Sequence, residues 1–257
     1  DQLNVLKDDK GQNLTHMFYI KLRPDMIPDP GAFLVHKVNP KWVGNHSFKS
    51  ATTYPLANQP IETNSYHGLS VMPDGEVYTE REAILKIQKI MTRTNNTCIA
   101  GYNSEKFDDE VVRSNFYRNM LDSYQHEWSN GNHRADIMKA VMLTRMFSEK
   151  ALEWPIGDDG KVSMRLEKLS VANGLVHENA HDALSDVQVT IDLAKLIKNR
   201  RPALWDKFKM LSDKQTVKRM VESGKPLSLT QMFIPKEKYG TTIALPVFKD
   251  TKNADKY

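Results

Sequence analysis

Thr97-Cys98-Ile99-Ala100-Gly101-Tyr102-Asn103-Ser104-Glu105-Lys106-Phe107-Asp108-Asp109-Glu110 is the stretch on which the reading of the fold turns. Its first half, Thr97 to Tyr102, has the length and texture of a short buried strand, entered from Asn95-Asn96. Its second half opens a helical pattern that runs from Asp108 to Met120. Val111, Phe116 and Met120 are the core positions expected there, with Arg113, Tyr117 and Arg118 on the other side. Just upstream, Thr79-Glu80-Arg81-Glu82 is a capping box. Ala83, Ile84, Ile87, Ile90 and Met91 then fall on one helical face. A helix between two strands predicts an α/β layer.

Toward the N-terminus, residues 2–22 read as a β-hairpin. Gln2–Leu6 alternates, Asp8-Asp9-Lys10-Gly11 supplies a turn, and Met17–Leu22 returns as an apolar strand. Pro24, Pro28 and Pro30 break the chain, and Gly31–Val38 is a short helix or strand. Residues 44–78 lack periodicity and read as a long surface excursion.

Toward the C-terminus, Leu121–Trp128 continues the helix from Asp108 or turns out of it. Asp136–Phe147 is a further helix, apolar at Ile137, Val141 and Met142. Trp154–Gly160 is a loop, and Arg165–Leu169 is a short helix ended by Asn173-Gly174. The next helix follows His181-Asp182-Ala183-Leu184-Ser185-Asp186. Leu184, Val187, Ile191 and Ala194 are its expected buried stripe, which leaves Asp186 off the stripe and facing a cleft. Five residues turn a helix through about 140°, so His181 is placed at or before the first turn. Residues 203–223 hold one more helical pattern at Leu204, Phe208 and Leu211. Leu227–Leu229 and Thr241–Phe248 then look like strands of a second, β-type module.

The 257 residues are 40% hydrophobic and 26% charged, which fits a globular chain of one good-sized domain, or of one domain and part of another. No apolar run reaches the roughly 18 residues of a membrane span. One cysteine, Cys98, excludes an intrachain disulfide and a cysteine metal cluster, and makes the cytoplasm the expected compartment. From Lys198 onward there are 14 Lys/Arg against 6 Asp/Glu, a net of +8. Against a total of +4, that leaves −4 on the first 197 residues. An acidic body with a basic tail suits carboxylates gathered around metal beside a polyanion, although plain solvation of a Lys-rich end gives the same pattern.

His181 and Asp186 are the residue types of a metal-dependent hydrolase: a carboxylate holds the cation, and an imidazole takes the proton of the attacking water. By itself this spacing is weak, because His181 reads equally as a capping or surface histidine. Asp108 reads equally as a helix N-cap, Arg165 as a partner of Glu167, and Tyr124 and Trp128 as core aromatics.

Taken together, the motifs carry a resemblance. Gly101-Tyr102-Asn103, Phe107-Asp108-Asp109-Glu110, Phe116-Tyr117-Arg118-Asn119, Arg165-Leu166-Glu167, Ala172-Asn173-Gly174, His181-Asp182-Ala183, Asp186-Val187 and Thr190 run in order without large gaps from about residue 97 to 205. In this the chain resembles the DEDDh group of 3′→5′ exonucleases, and within it the bacterial exodeoxyribonuclease I family. The resemblance implies a ribonuclease H-like exonuclease domain with a mixed sheet over residues 1–202, and the start of an SH3-like module over 203–257. It implies Asp108 and Asp186 as ligands of two Mg²⁺ ions and His181 as general base. Arg165, Arg113, Tyr124 and Trp128 become contacts to substrate. It further implies a monomer acting on single-stranded DNA in repair and recombination, with the single-stranded DNA-binding protein as partner and no membrane. Where the family tends to have another arginine, this chain has Met142, with Arg145 one turn on.

The family's first motif, a D-x-E on the first strand, has no counterpart upstream. Asp74-Gly75-Glu76, a D-x-E within the excursion, reads as a turn. The expectation is therefore a chain truncated at both ends, with the first strand of the sheet missing. The alternatives are a non-catalytic nucleic-acid-binding relic, or another DEDDh enzyme of the proofreading or oligoribonuclease type.

Overall fold

A computed structural model of the chain describes residues 16, 18–21, 76–175, 183–231, 233–235 and 239–247. The expected strand at 2–6 and its turn, the segments 24–43 and 44–75, His181, and the end of the chain from residue 248 lie outside them. The chain divides into two compact units, residues 1–93 with 115–123, and residues 94–114 with 124–257.

In the first unit, β1 (Phe18–Lys21) pairs in parallel with β2 (Glu76–Thr79), Phe18 opposite Glu76 and Lys21 opposite Thr79. The excursion expected over 44–78 thus ends in a strand at its last positions. Four residues are too few to show the period of two, which is why pattern alone did not reveal it. Helix α1 (Glu80–Thr92) follows directly. The capping box is present as read. Thr79 Oγ1 accepts the Glu82 N–H at 3.3 Å, and Glu82 Oε2 accepts the Thr79 N–H at 3.0 Å. Ala83 and Ile84 are buried, as expected.

Residues 115–123 explain the Phe116-Tyr117-Arg118-Asn119 motif in the same unit. Phe116 is fully buried. Arg118 grips Glu80 through Nε and Nη2, both at 2.9 Å, and Asn119 Nδ2 donates to Glu80 Oε1 at 2.9 Å. The guanidinium of Arg81 donates to the Asn119 carbonyl. Met120 adopts φ +58° and stands exposed in the turn that ends the helix, so it is not the core residue its spacing suggested.

In the second unit, β3 (Cys98–Gly101) pairs in parallel with β4 (His133–Asp136). The parallel pairing needs a crossover, supplied by α2 (Asp108–Arg118) and the short α3 (Gln125–Trp128). The β3 strand exists as expected, but it is not of the buried type: Cys98 and Ala100 are exposed. Val111 on α2 is likewise exposed. The strand β4 went unread because His133-Arg134-Ala135-Asp136 carries no apolar alternation.

Asp136 ends β4 and caps α4 (Ile137–Ser148), accepting the Met138 N–H at 2.9 Å. Helix α4 forms the middle of this unit. It packs against α6 (Ala183–Arg200), α7 (Pro202–Leu211), and the antiparallel pair β5 (Leu227–Thr230) and β6 (Thr241–Ala244). Helix α5 (Leu166–Ala172) packs on α6, and α8 (Lys214–Glu222) on α7. The pattern over 203–223 is therefore two helices. Asp213 divides them by capping α8 through the Gln215 and Thr216 N–H groups.

The core of this unit is Ile137, Ala140, Val141, Met142, Leu169, Val189, Leu193, Ala194, Ile197, Trp205 and Phe208. Gly240 sits at φ +66°, and a Cβ there would overlap Met142. The positive φ favours glycine there, while the overlap is with the end of the flexible Met142 side chain.

The buried face of α6 corrects the expected stripe at its N-terminal end, while Ala194 is buried as expected. Leu184 and Val187 are 43% and 55% exposed, whereas Leu193 and Ile197 are fully buried. Asp186 stands seven and eleven residues before those two, about 20° from each around the helix. It therefore continues the buried face at its N-terminal end, where it is partly buried. Both candidate stripes are apolar at helical spacing; the neighbours α4 and α5 decide which one is covered.

Candidate functional site

The second unit builds its polar end where β3 and β4 finish side by side. Gly101, the last residue of β3, is paired with Asp136. A Cβ at Gly101 would lie 2.8 Å from the Ser104 Cβ, so the glycine lets the chain fold tightly into the next turn. Tyr102 donates its hydroxyl to the Met164 carbonyl at 2.5 Å, and burial holds its pKa well above the usual tyrosine value. Asn103 takes the left-handed conformation at φ +56°. Three carboxylates then open α2: Asp108, Asp109 and Glu110. Acidic groups at this end of a helix are favoured by its unpaired N–H groups.

These three carboxylates do different things. Asp109 is buried and ion-paired with Arg134 from β4, whose Nε reaches Oδ2 at 3.3 Å. Asp108 is exposed, and it is the first residue of the helix rather than its cap. Loss of water around its carboxyl holds its pKa above the ordinary carboxylate value, against the pull of Arg134. Glu110 is exposed and bonded to Arg113.

Arg113 makes a two-pronged pair with Glu127 of α3, Nε to Oε1 at 2.7 Å and Nη2 to Oε2 at 3.0 Å. Those bonds, before all else, hold its pKa above even the usual arginine value. Its guanidinium carbon lies 5.1 Å from the centroid of the Tyr124 ring. Tyr124 and Trp128 are 54% and 57% exposed, so they are surface aromatics and not core ones. Arg165 is exposed at the N-cap of α5, and no hydrogen bond or ion pair of its guanidinium falls among the described residues. Met142 is buried in the core, and Arg145 lies against the Tyr239 and Trp154 rings at 4.6 and 5.8 Å.

Two aspartates are hard oxygen donors of the kind a Mg²⁺-like cation takes. Among the described residues, however, no group of three or more His, Cys, Asp or Glu side chains could hold a metal ion. Asp108 and Asp186 therefore supply part of a donor set, and the described residues alone do not make up a two-cation site.

Sequence reasoning missed Asp109, Arg134, Asp136 and Glu127. Three of these four, Asp109, Asp136 and Glu127, are buried polar groups. They stand in polar segments that give no local signal of burial, which is legible only once the partner across the sheet or helix is known. No helix among the described residues is long and apolar enough to cross a membrane.

No family model matches the chain. It is 36% identical to exodeoxyribonuclease I of Haemophilus influenzae over 208 residues, which is 81% of this chain and 37% of that protein. It is 35% identical to exodeoxyribonuclease I of Escherichia coli K12 over 190 residues, 74% of this chain and 34% of that protein. Among solved structures, E. coli exonuclease I in complex with a dA16 oligonucleotide superposes with a TM-score of 0.76. That match has 30% identity and covers 98% of this chain and 46% of that one. The chain thus spans less than half the length of these relatives. The mixed α/β fold is the one these neighbours share. Over that stretch, in sequence and in fold alike, the chain is similar to the bacterial exodeoxyribonuclease I family.

Proposed function

We propose that this chain is the nuclease part of an enzyme that hydrolyses single-stranded DNA from its 3′ end and releases nucleotides. The observation that carries the reading is the match at TM-score 0.76 and 30% identity to E. coli exonuclease I holding a dA16 oligonucleotide. In this reading residues 1–202 are a ribonuclease H-like exonuclease domain and 203–257 begin an SH3-like module. The parallel pairs β1–β2 and β3–β4 support the first part, and the antiparallel β5–β6 pair supports the second. Helix α7, on the far side of that boundary, packs against α4 and α6.

Asp108 and Asp186 would serve as metal ligands together with further donors, and His181 would take the proton of the attacking water. Bound metal would supply charge neutralisation at the scissile phosphate. Arg165 would contact a phosphate, for which its exposed guanidinium is suited. Tyr124 and Trp128 would stack on bases without reading their sequence. A zinc-bound form of the E. coli exonuclease I complex with single-stranded DNA is known; for this chain we name Mg²⁺. A structure of SSB with exonuclease I supports the single-stranded DNA-binding protein as partner. The enzyme would act as a monomer in the cytoplasm, in DNA repair and recombination.

The test is Mg²⁺-dependent digestion of 5′-labelled single-stranded DNA by the 257-residue chain, beside its His181→Ala and Asp186→Asn variants. Ladders receding from the 3′ end that vanish in both variants would show that the site is complete without the D-x-E motif. DNA binding with no cleavage at any Mg²⁺ concentration would fit an incomplete donor set in this chain; the same outcome from a longer chain that carries the D-x-E strand would replace this reading with that of a non-catalytic binding protein.

A further inference from the structure

Arg113 divides its guanidinium between two carboxylates of unlike exposure. Nε and Nη2 face Glu127, whose side chain is 10% exposed, and Nη1 faces Glu110, which is 62% exposed. The buried His126 stands beside the first pair, its Nε2 3.6 Å from Glu127 Oε1. The Tyr124 ring lies against the guanidinium. A two-pronged pair fixes the orientation of the fork, whereas a single exposed contact three residues along a helix is weak and easily exchanged.

We infer that Glu110 occupies, in the DNA-free protein, the Arg113 nitrogen that a DNA phosphate takes, while Glu127 holds the opposite edge and keeps the guanidinium against Tyr124. This rests on the proposed function, which makes Arg113 and Tyr124 contacts of single-stranded DNA. Glu110 loses little on returning to water, because most of its side chain is already there. Glu127 does not leave cheaply, since an unpaired carboxylate would remain buried. A phosphate oxygen is a strong, charged acceptor for the freed N–H groups. Arg113 is thus oriented by one carboxylate and screened by the other, and DNA binding is a competition for Nη1.

The experiment titrates a fluorescein-labelled dT oligonucleotide with the 257-residue chain and follows anisotropy. Glu110→Gln is expected to tighten binding roughly two- to fivefold, the range of an exposed ion pair. Glu127→Gln is expected to weaken it. Both effects are expected to disappear when Arg113→Ala is added. Unchanged or weaker binding by Glu110→Gln overturns the inference. So does the same tightening in the Arg113→Ala background, which would reduce Glu110 to a general negative charge near DNA. If Arg113→Ala binds like wild type, the role of Arg113 in the proposed function falls, and this inference with it. If the wild-type chain binds no DNA, the proposed function itself fails.

Discussion

Asp136 Oδ1 accepts the backbone N–H of Asn103 at 2.8 Å, so the residue that ends β4 holds the turn leading out of β3. The same carboxylate accepts the Glu105 N–H at 3.3 Å and caps α4 at Met138. Three N–H groups from two segments therefore converge on one buried side chain, just ahead of Asp108. Asp136→Ala leaves all three without that acceptor. The expected loss is about 2–4 kcal/mol, a helix cap plus a buried unmet donor, read as a lower urea midpoint at unchanged slope. A loss under about 0.5 kcal/mol, within the range of an ordinary surface substitution, would mean that the turn holds without it.

The two apolar stripes of α6 make opposite predictions. Leu193 is fully buried and Leu184 is 43% exposed. Leu193→Ala should cost about 2–5 kcal/mol through lost contacts and a cavity. Leu184→Ala should cost under about 1 kcal/mol, as exposed positions usually do. Thermal melts of the two variants side by side decide between the faces, and equal losses would contradict the packing described.

Acid should weaken the helix caps first. Hydrogen bonds with Thr79 hold Glu82 below its ordinary 4.5, and those with Thr216 hold Asp213 below its ordinary 3.8. Both groups are favoured as carboxylates in the folded chain. Their contribution is present above those ordinary values and is lost as pH falls through the lowered ones. Asp136 runs the other way. Burial raises its pKa, so its contribution is present below 3.8 and is lost as pH rises through the raised value. Thr79→Ala should therefore flatten the acid limb of a stability-against-pH curve. A limb unchanged in that variant would show that Glu82 is not what titrates.

Trp128 and Tyr124 should contribute to DNA binding through stacking. Trp128→Ala and Tyr124→Ala are each expected to weaken single-stranded DNA affinity by about 1–3 kcal/mol. The loss should be similar for dA and dT oligonucleotides, because every base offers a face. Affinity unchanged in both variants, measured by anisotropy at fixed salt, would remove these two residues from the DNA path.

Helix α1 was legible in full because its start is written locally: Thr79 and Glu82 meet through bonds three residues apart, and no distant partner is needed. The stop of α5 at Asn173-Gly174 was legible for the same reason, whereas Asp136, read as the first residue of α4, is its cap. The order of the main helices from residue 80 to 211 thus came from sequence. Tertiary structure decided what depends on neighbours. It chose which of two apolar stripes α6 buries, since a helix alone does not distinguish them. It turned His133–Asp136 into a strand by pairing it with Cys98–Gly101, although its own side chains show no strand pattern. It put Met142 into the core under Gly240 and set Glu110 and Glu127 on the two edges of Arg113. Caps and turns are short-range and readable along the chain, whereas burial and charge pairing belong to surfaces that meet only when the chain has folded.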